Sequence, residues 1–438
     1  MRKFFESLLE QNKVSIIDRE VSPKHELAAV NNAIQNAGEN IALFNNVAGT
    51  DFPVVSNLYG SYERICEIIG APKDGFCKQW KKITHTPLEH EIYEDIDLPD
   101  DVISGKLTDL PLITYHEKDA GPYFTSVIFL AKEPDTGVPN LSFHRCMFVD
   151  ENEVRCRLGA SHDLARYQKK AEERNQALEV AILIGTSPEV FMAACSGIPY
   201  EDNELEVAAK LAGAPIKMRP CKTINLMVPA DTEIVIEGRI LPNKLAPEAP
   251  FGEFMGNYVS QVESPVVEIT DVNWREGAYF HSLTCGSNED LRPLEAMFAA
   301  RVYNHVSSVI PGVIDVSTRP NGMITIVKIK KQYEGHGRQA LIAAIGSNMD
   351  YNKVVIAVDE DVDIQNLEDV MWAYLVRGPA DKRAFIIEDI PGFYRDDMKD
   401  HWGRLAIDAT APWGREEEFE RKSIPGEDDI DLSQYLVQ

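Results

Sequence analysis

The sequence predicts a mixed α/β protein in which a β-barrel-like middle part lies between two smaller α/β parts. Two observations lead to this prediction. From residue 110 to about residue 272, short apolar or alternating runs are separated by turn signals, which is typical of a barrel. Before and after this stretch, apolar runs alternate with segments of helical periodicity, which is typical of open α/β sheets.

The first hundred or so residues combine helices with a buried strand. Apolar residues recur at helical spacing in Met1–Gln11, Lys24–Ala37 and Arg64–Ile69. The letters IALF at residues 41–44 indicate a short buried strand. The acidic run Glu89–Asp101 is typical of a solvated connector. We therefore expect a small α/β domain at residues 1–105.

The middle part, residues 106–300, contains the candidate barrel strands. They are Phe124–Ala131, Phe143–Val149, Val154–Leu158, Leu178–Ile184, Ile224–Val228, Glu233–Ile240, Phe254–Val262 and Val266–Val272. Within Glu233–Ile240, glutamate and isoleucine positions alternate at the two-residue period of a strand with one polar face. Helices are predicted at residues 163–175 and 203–211, and Leu294–Ser308 is predicted as a linking helix.

The last part alternates strands and helices, which favours a parallel sheet. Its predicted strands are Met323–Ile329, Val354–Val358 and Ala384–Ile387, and its predicted helices are Arg338–Ile345 and Leu367–Arg377. We assign residues 301–410 to this α/β domain. Residues 411–438 are predicted as a charged tail, with Arg415–Arg421 as its helical segment.

Composition narrows the class of protein. A chain of 438 residues is too long for one core. Its net charge of -26 argues against sequence-independent binding to nucleic acid or to an anionic membrane. Because neither an N-terminal apolar segment nor an apolar run of about 18 residues is found, we expect neither secretion nor membrane insertion. Its seven scattered cysteines, with no C-x-x-C, indicate reduced thiols and a cytoplasmic location.

Two glutamates, Glu248 and Glu253, flank the segment Ala249–Gly252. Proline fixes φ and glycine permits unusual backbone angles, so this stretch is predicted to be a bent turn that leads into a strand. Paired acids in an apolar pocket have their pKa values driven apart, and one then serves as a proton donor. The alternative is a surface turn with two solvated glutamates.

Three further side chains form a candidate metal site. Asn140 lies in a predicted turn, His162 precedes a predicted helix, and Glu204 lies on another. An amide oxygen, an imidazole and a carboxylate together suit manganese or magnesium. Singly, each residue type is more often a cap, a turn former or a solvated group. Arg145 lies in an apolar context and requires an acidic partner or an anionic ligand, so an Arg–Glu pair within the barrel is the alternative.

The commonest nucleotide, metalloprotease and esterase signatures, GxxxxGK(S/T), HExxH and GxSxG, are absent from the sequence. The candidate residues occur instead in one order: Asn140-x4-Arg145, His162, Glu204-x-Glu206, Glu248-x-Pro-Phe-Gly-Glu253, with IGTSP at 184–188 and AIDAT at 406–410. In this combination the chain closely resembles the UbiD-like family of decarboxylases, which depend on prenylated FMN. The resemblance covers nearly the whole chain.

The resemblance implies a split β-barrel flavin-binding domain, flanked by a small N-terminal α/β part and a C-terminal α/β oligomerisation domain. A homodimer or a higher homo-oligomer is therefore expected. It also implies that Asn140, His162 and Glu204 bind manganese (or magnesium) against the cofactor phosphate. Ala193–Ser196 falls where members of the family bind a monovalent cation, potassium.

The remaining site residues also follow from the resemblance. The implied cofactor-binding residues are Asn140, Ser142, Phe143, His144, Arg145, Arg157, Leu158, Ser161, His162, Glu204 and Arg404. Many members have lysine where Arg404 stands; arginine keeps the charge and changes its geometry. Arg145, Glu248 and Glu253 match the catalytic Glu–Arg–Glu network of the family, with Glu253 in the place of the proton donor.

The implied activity is that of a carboxy-lyase: reversible, non-oxidative decarboxylation of an aromatic or α,β-unsaturated acid through a covalent adduct with prenylated FMN. A flavin prenyltransferase is the expected supplier of the cofactor. The alternative is a non-catalytic subunit or a cofactor-binding assembly protein, which the retention of Arg145, Glu248 and Glu253 disfavours. Metal-dependent hydrolysis lacks a recognisable water-activating set. Candidate pocket walls are Phe143, Asn288, Leu291 and Arg292.

Overall fold

The computed structural model describes most of the chain. The described residues are 1–38, 40–72, 75–159, 162–260, 262–347, 351–390, 392, 403–426, 430–431 and 434–435. They fall into two compact units. The first comprises residues 1–301 with 320–322, and the second comprises residues 302–319 with 323–438. The domain boundaries at residues 105, 300 and 410 remain predictions.

The first unit contains most of the regular structure. Its helices are α1 Arg2–Glu10, α2 Glu26–Ala37, α3 Tyr62–Ile68, α4 Phe76–His85, α5 Asp163–Glu173, α6 Pro188–Ala194 and α7 Glu204–Ala212. Its strands are β1 Val14–Ile17, β2 Ile41–Phe44, β3 Val54–Ser56, β4 Tyr93–Asp95, β5 Val102–Gly105, β6 Tyr123–Phe124, β7 Ile128–Lys132, β8 Pro139–Phe143, β9 Cys146–Asp150, β10 Glu153–Cys156, β11 Leu178–Ile184, β12 Ile216–Pro220, β13 Met227–Pro229, β14 Ile234–Glu248, β15 Phe251–Gly252, β16 Tyr258–Val259, β17 Val262–Arg275 and β18 Phe280–Ser282. Helix α8, Asn288–Val309, begins in this unit and ends in the second.

The N-terminal sheet has the strand order β1-β2-β3-β18. Strands β1 and β2 are parallel because α2 crosses between them, and all four residues of β2 are buried, as the IALF pattern predicts. The last strand of this sheet, β18, follows the barrel in sequence and pairs in parallel with β3. A strand from the far end of the middle part therefore completes the N-terminal sheet.

The central sheet has the order β6-β9-β10-β17-β14-β11-β7-β8, with β5 paired on β17. Strands β14 and β17 pair antiparallel from Ile234–Trp274 to Glu248–Val262, with register shifts on the way. The first and last strands in this order, β6 and β8, do not pair with each other among the described strands. The barrel is therefore split, and the predicted fold class is confirmed.

The predicted strand Glu233–Ile240 corresponds to Glu233 and the first part of β14. The side chains of Glu233 and Glu237 are both fully buried. Arg2 donates to Glu233 at 2.7 Å, and the backbone N–H groups of Lys222 and Thr223 donate to Glu237 at 2.8 and 2.7 Å. Each buried carboxylate is thus satisfied by hydrogen bonds, which buried charges require.

Three local predictions need correction. Asn140–Phe143 belongs to strand β8 and is not a turn, because it pairs with β7. The acidic run Glu89–Asp101 is more than a connector, because β4 within it pairs with β12. Only Tyr258–Val259 of the predicted strand Phe254–Val262 forms its own short strand, while residues 254–257 turn.

The second unit is an α/β layer. It has strands β19 Val313–Ser317, β20 Ile324–Ile329, β21 Val354–Val358, β22 Ala384–Ile387 and β23 Arg404–Asp408, with helices α9 His336–Ser347, α10 Leu367–Arg377 and α11 Ala380–Arg383. Its strand order is β19-β20-β21-β23-β22. Of the predicted strands, β20 and β21 are parallel as expected, whereas the third, β22, is antiparallel to β23, a strand that was not predicted. Strand β23 is parallel to β21, and the other edge strand, β19, is antiparallel to β20. Within the described residues, no helix is both long and apolar enough to cross a membrane.

Candidate active site

The two glutamates flank a tight turn at the end of the longest strand. Glu248 is the last residue of β14, and Glu253 follows the short strand β15, which pairs with β16. Ala249 between them has φ of 97°, a strained angle for a residue with a side chain. Both glutamate side chains are buried. The prediction of a bent turn is confirmed, and the alternative of two solvated glutamates is excluded.

Arg145 lies between the two carboxylates. Its Nε and Nη2 donate to the two oxygens of Glu248 at 2.9 and 3.1 Å, and its Nη1 donates to Glu253. The guanidinium also stacks over the Phe251 ring at 4.3 Å. Burial lowers the pKa of Arg145, but the hydrogen bond to Glu248 and the charges of both glutamates outweigh it, and the pKa is raised overall. Arg145 is therefore a permanent cation in a buried acid–base cluster.

A second polar cluster joins strand β8 to helix α7. Asn140 Nδ2 donates to Glu204 Oε1 at 2.9 Å, and the Leu141 N–H donates to Glu204 Oε2 at 3.1 Å. Glu204 occupies the first turn of α7, where Asn203 caps the helix. Burial raises the pKa of Glu204 to about 7, against the lowering effect of these hydrogen bonds. A buried carboxylate and an amide oxygen of this kind are oxygen ligands for a hard divalent cation.

Ser142 and His144 orient this cluster. The Ser142 hydroxyl lies 2.9 Å from Asn140 Oδ1 and 2.8 Å from His144 Nε2. His144 Nδ1 lies 3.2 Å from the Arg157 carbonyl, which can only accept, so Nδ1 carries the hydrogen. The His144 ring packs against the His162 ring at 5.1 Å. The Ser142 hydroxyl has a single hydrogen, so it donates either to His144 Nε2 or to Asn140 Oδ1 and not to both. In this structure the Asn140 nitrogen faces Glu204 and its oxygen faces Ser142.

A cavity of about 510 Å³ opens beside these clusters. Of the predicted residues, it is lined by Asn140, Ser142, Phe143, His162 and Glu204. Residues on one face of α8 also line the cavity: Asp290, Pro293, Leu294, Met297, Phe298 and Arg301. Of the four candidate wall residues, Phe143 lines the cavity, whereas Asn288, Leu291 and Arg292 are not among the lining residues.

Asp290 is a site residue that the sequence analysis missed. It lines the cavity, and the Gly286 N–H donates to its Oδ2 at 2.7 Å. Burial raises its pKa to about 6, and the neighbouring charge of Glu253 also acts to raise it. A β-carbon at Gly286 would lie 3.5 Å from the backbone of Phe254, so the segment that holds Asp290 packs beside the residue that follows Glu253. The available signal was the acid pair Glu289-Asp290, which lies between the candidate wall residues Asn288 and Leu291.

Other predicted residues lie at the edge of the site or beyond it. Arg157 and Leu158 directly follow β10, and Leu158 packs on the main core. Arg404 is buried at the start of β23, in the second unit. Ser161 lies outside the described residues. In the part of the chain that is described, no cluster of three or more His, Cys, Asp or Glu side chains is placed to hold a metal.

Models of three protein domains match almost the whole chain. They are the N-terminal, Rift-related and C-terminal domains of 3-octaprenyl-4-hydroxybenzoate carboxy-lyase, at residues 5–83, 93–288 and 292–409. Among relatives, anhydromevalonate phosphate decarboxylase of Methanosarcina mazei is 32% identical, with 97% of this chain and 99% of that protein covered. Phenolic acid decarboxylase of Sedimentibacter hydroxybenzoicus is 30% identical, with 94% and 91% covered.

Solved structures agree with these matches. The UbiD-class enzyme HmfF from Pelotomaculum thermopropionicum, in complex with FMN, has a TM-score of 0.93 and 32% identity, with 99% of both chains covered. An evolved dimeric form of the same enzyme, in complex with prenylated FMN, has a TM-score of 0.89 and 31% identity, again with 99% of both chains covered.

The fold, the buried Glu–Arg–Glu cluster and the domain matches together define a carboxy-lyase. The chain belongs to the UbiD family of decarboxylases.

Proposed function

We propose that this protein catalyses the reversible, non-oxidative decarboxylation of an aromatic or α,β-unsaturated carboxylic acid with prenylated FMN, and that Glu253 is the proton donor. The observation that carries the proposal is the burial of Arg145 between Glu248 and Glu253 beside the cavity. A solvated surface turn would leave its carboxylates exposed to water. Burial of carboxylates beside a cation is instead typical of an acid–base site.

Each residue of the cluster has a separate task. Arg145 is the permanent cation that would orient the substrate carboxylate. Its bidentate pair with Glu248 holds the guanidinium in one plane, and the Phe251 ring supports its face. Glu253 accepts a hydrogen bond from Arg145 Nη1. As the proton donor, it would deliver a proton to the carbon that loses CO2.

The residues around the cavity fit a flavin cofactor. Phe143 packs edge-on against Phe191 at 4.9 Å, and both line the cavity, so an aromatic floor is present for a flat ring system. The residues that would hold the cofactor are Asn140, Ser142, Phe143, His144, Arg145, Arg157, Leu158, Ser161, His162, Glu204 and Arg404. Prenylated FMN, when bound, supplies the electron sink that loss of CO2 from an sp2 carbon requires.

A divalent cation, manganese or magnesium, fits the Asn140–His162–Glu204 group. The buried Glu204 carboxylate has no cationic side chain among its described hydrogen-bond partners, and a bound cation would supply that charge. The Asn140 oxygen and a histidine on the same cavity complete an oxygen–nitrogen–oxygen set. Potassium at Ala193–Ser196 remains a prediction.

The cavity walls and the relatives bear on the substrate class. The α8 residues that line the cavity between Asp290 and Arg301 are apolar, and the rings of Phe143 and Phe191 line the same cavity, which suits a planar unsaturated acid. The named relatives act on a phenolic acid in one case and on anhydromevalonate phosphate in the other. Both are consistent with the proposed class. We further propose a flavin prenyltransferase as supplier of the cofactor, and a homodimer or a higher oligomer as the assembly.

The experiment that tests the function is expression with and without a flavin prenyltransferase. Cofactor content is measured by absorption and intact mass, and decarboxylation is assayed on a panel of aromatic and enoic acids. Activity that requires the modified flavin is the expected result. Cofactor binding without turnover of any acid would instead favour the cofactor-binding assembly protein.

Replacement of Glu204 by alanine is expected to reduce manganese and flavin retention together, because this carboxylate would hold a divalent cation whose charge would help to bind the cofactor phosphate. Metal content by mass spectrometry and flavin absorption after desalting give the measurement. Glu206→Ala is the matched control: Glu206 lies on the same helix and pairs with Lys210 at 2.8 Å. Full flavin occupancy in a metal-free Glu204→Ala protein would contradict the assignment.

A further inference from the structure

A second turn, residues 116–120, lies directly against the turn that carries the two glutamates. The Gly252 N–H donates to Asp119 Oδ1 at 2.9 Å. The Ala120 N–H donates to the Pro250 carbonyl at 2.9 Å. These two hydrogen bonds attach the backbone on both sides of Phe251, the residue whose ring supports the Arg145 guanidinium. We call residues 116–120 the bracing turn.

Asp119 is the centre of the bracing turn. Its side chain is fully buried, and its second oxygen, Oδ2, accepts the His116 N–H of its own turn at 2.8 Å. One carboxylate thus binds backbone N–H groups from two segments that lie far apart in sequence. Hydrogen bonds to an ionised acceptor are about twice as strong as neutral ones. Burial of a carboxylate costs free energy unless hydrogen bonds satisfy its oxygens. The two N–H groups satisfy Asp119, and the same hydrogen bonds hold the two backbone segments in place.

The His116 ring packs directly against Gly252, the residue whose N–H donates to Asp119. A β-carbon at position 252 would lie 2.6 Å from His116 Nδ1, so only glycine fits beneath the ring. The ring also meets Phe251 and Tyr258 edge-on, at 6.5 and 6.4 Å. Strand β15 is therefore held by a hydrogen bond on one side and by an aromatic ring on another, immediately before Glu253.

We propose that Asp119 is a positioning residue for Glu253, with His116 as its packing partner. Asp119 fixes the Gly252 amide and thereby sets where the Glu253 side chain begins, one residue further on. This inference rests on the proposed function, in which Glu253 delivers a proton to carbon. Because proton transfer requires near-contact geometry, a displacement of about 1 Å costs roughly 10²-fold in rate.

The test compares three variants of the full-length, cofactor-loaded protein. Asp119→Ala is expected to lower kcat about 10- to 100-fold with little change in KM, because the Arg145–Glu248 pair that would bind the carboxylate keeps its own hydrogen bonds. Asp119→Asn keeps one acceptor oxygen for the Gly252 N–H, so it is expected to recover much of that loss. The control is Glu237→Gln, another fully buried carboxylate that accepts two backbone N–H groups. It is expected to lower Tm without lowering kcat.

A second measurement does not depend on turnover. Hydrogen exchange of a peptide that covers residues 250–258, in cofactor-free protein, should become faster in Asp119→Ala and stay unchanged in Glu237→Gln. Wild-type kcat in Asp119→Ala, or an equal loss of kcat in Asp119→Ala and Glu237→Gln, would overturn the proposal. Unchanged exchange in Asp119→Ala would also overturn it. A wild-type protein that decarboxylates no acid would instead remove the proposed function, and the exchange result would still report on the bracing turn.

Discussion

Glu253→Gln is expected to lower turnover by about 10²- to 10⁴-fold, the usual contribution of a general acid. The amide is nearly isosteric with the carboxyl group, so the variant should keep the cavity and its flavin. It cannot deliver a proton, however. In D2O, the wild-type protein should place deuterium at the carbon that carried the carboxylate, and the variant should do so slowly or not at all.

The control for this prediction is Glu263→Gln, which changes an exposed glutamate on the neighbouring strand β17 and should leave the rate unaltered. The flavin absorption spectrum of each purified protein shows whether the cofactor is retained. If Glu253→Gln incorporates deuterium as fast as the wild type, Glu253 is not the donor, and Glu248 becomes the next candidate.

Arg145→Ala is expected to abolish measurable turnover and to destabilise the fold. The substitution removes the bidentate partner of Glu248, a carboxylate that is fully buried. Breaking a buried ion pair by removing one partner typically costs about 3–5 kcal/mol. Chemical denaturation followed by fluorescence measures the stability, and the decarboxylation assay measures the rate.

Arg145→Lys separates these two effects. Lysine keeps the positive charge but not the planar fork that binds both oxygens of Glu248. We expect it to recover a large part of the stability and little of the turnover. An Arg145→Ala protein with wild-type turnover and KM would show that the arginine serves the fold alone.

The sequence predicted those parts of the site that short segments encode. The Glu248–Glu253 turn follows from its proline and glycine, and the position of Glu204 in a helical first turn follows from the local pattern. The Arg145 cluster was predicted as an Arg–Glu network through the family resemblance, and the structure brings the three side chains together. A family motif predicts such a network because it marks residues that are distant in sequence but close together in the folded chain.

Contacts between distant segments could not be predicted in the same way. The hydrogen bond from Gly252 to Asp119 spans 133 positions, and neither residue type is unusual in its local context. The hydrogen bond from Arg2 to Glu233 illustrates the same limit, because these two residues are far apart in sequence and only the folded chain brings them together. The antiparallel edge strand β22 was read as parallel because β23, which pairs between it and β21, had not been recognised as a strand.

The helical wall of the cavity bears on how this protein could acquire new specificities. Pro293, Leu294, Met297 and Phe298 lie on one face of α8, and all of them are remote in sequence from Arg145, Glu248 and Glu253. Successive turns of a helix lie about 5.4 Å apart, so residues on different turns line different parts of the cavity. Single substitutions along this face would therefore change the length and width of acceptable acids, while the proton-transfer apparatus keeps its geometry. Residues 293–298 are therefore a short, contiguous target for directed evolution of the substrate range.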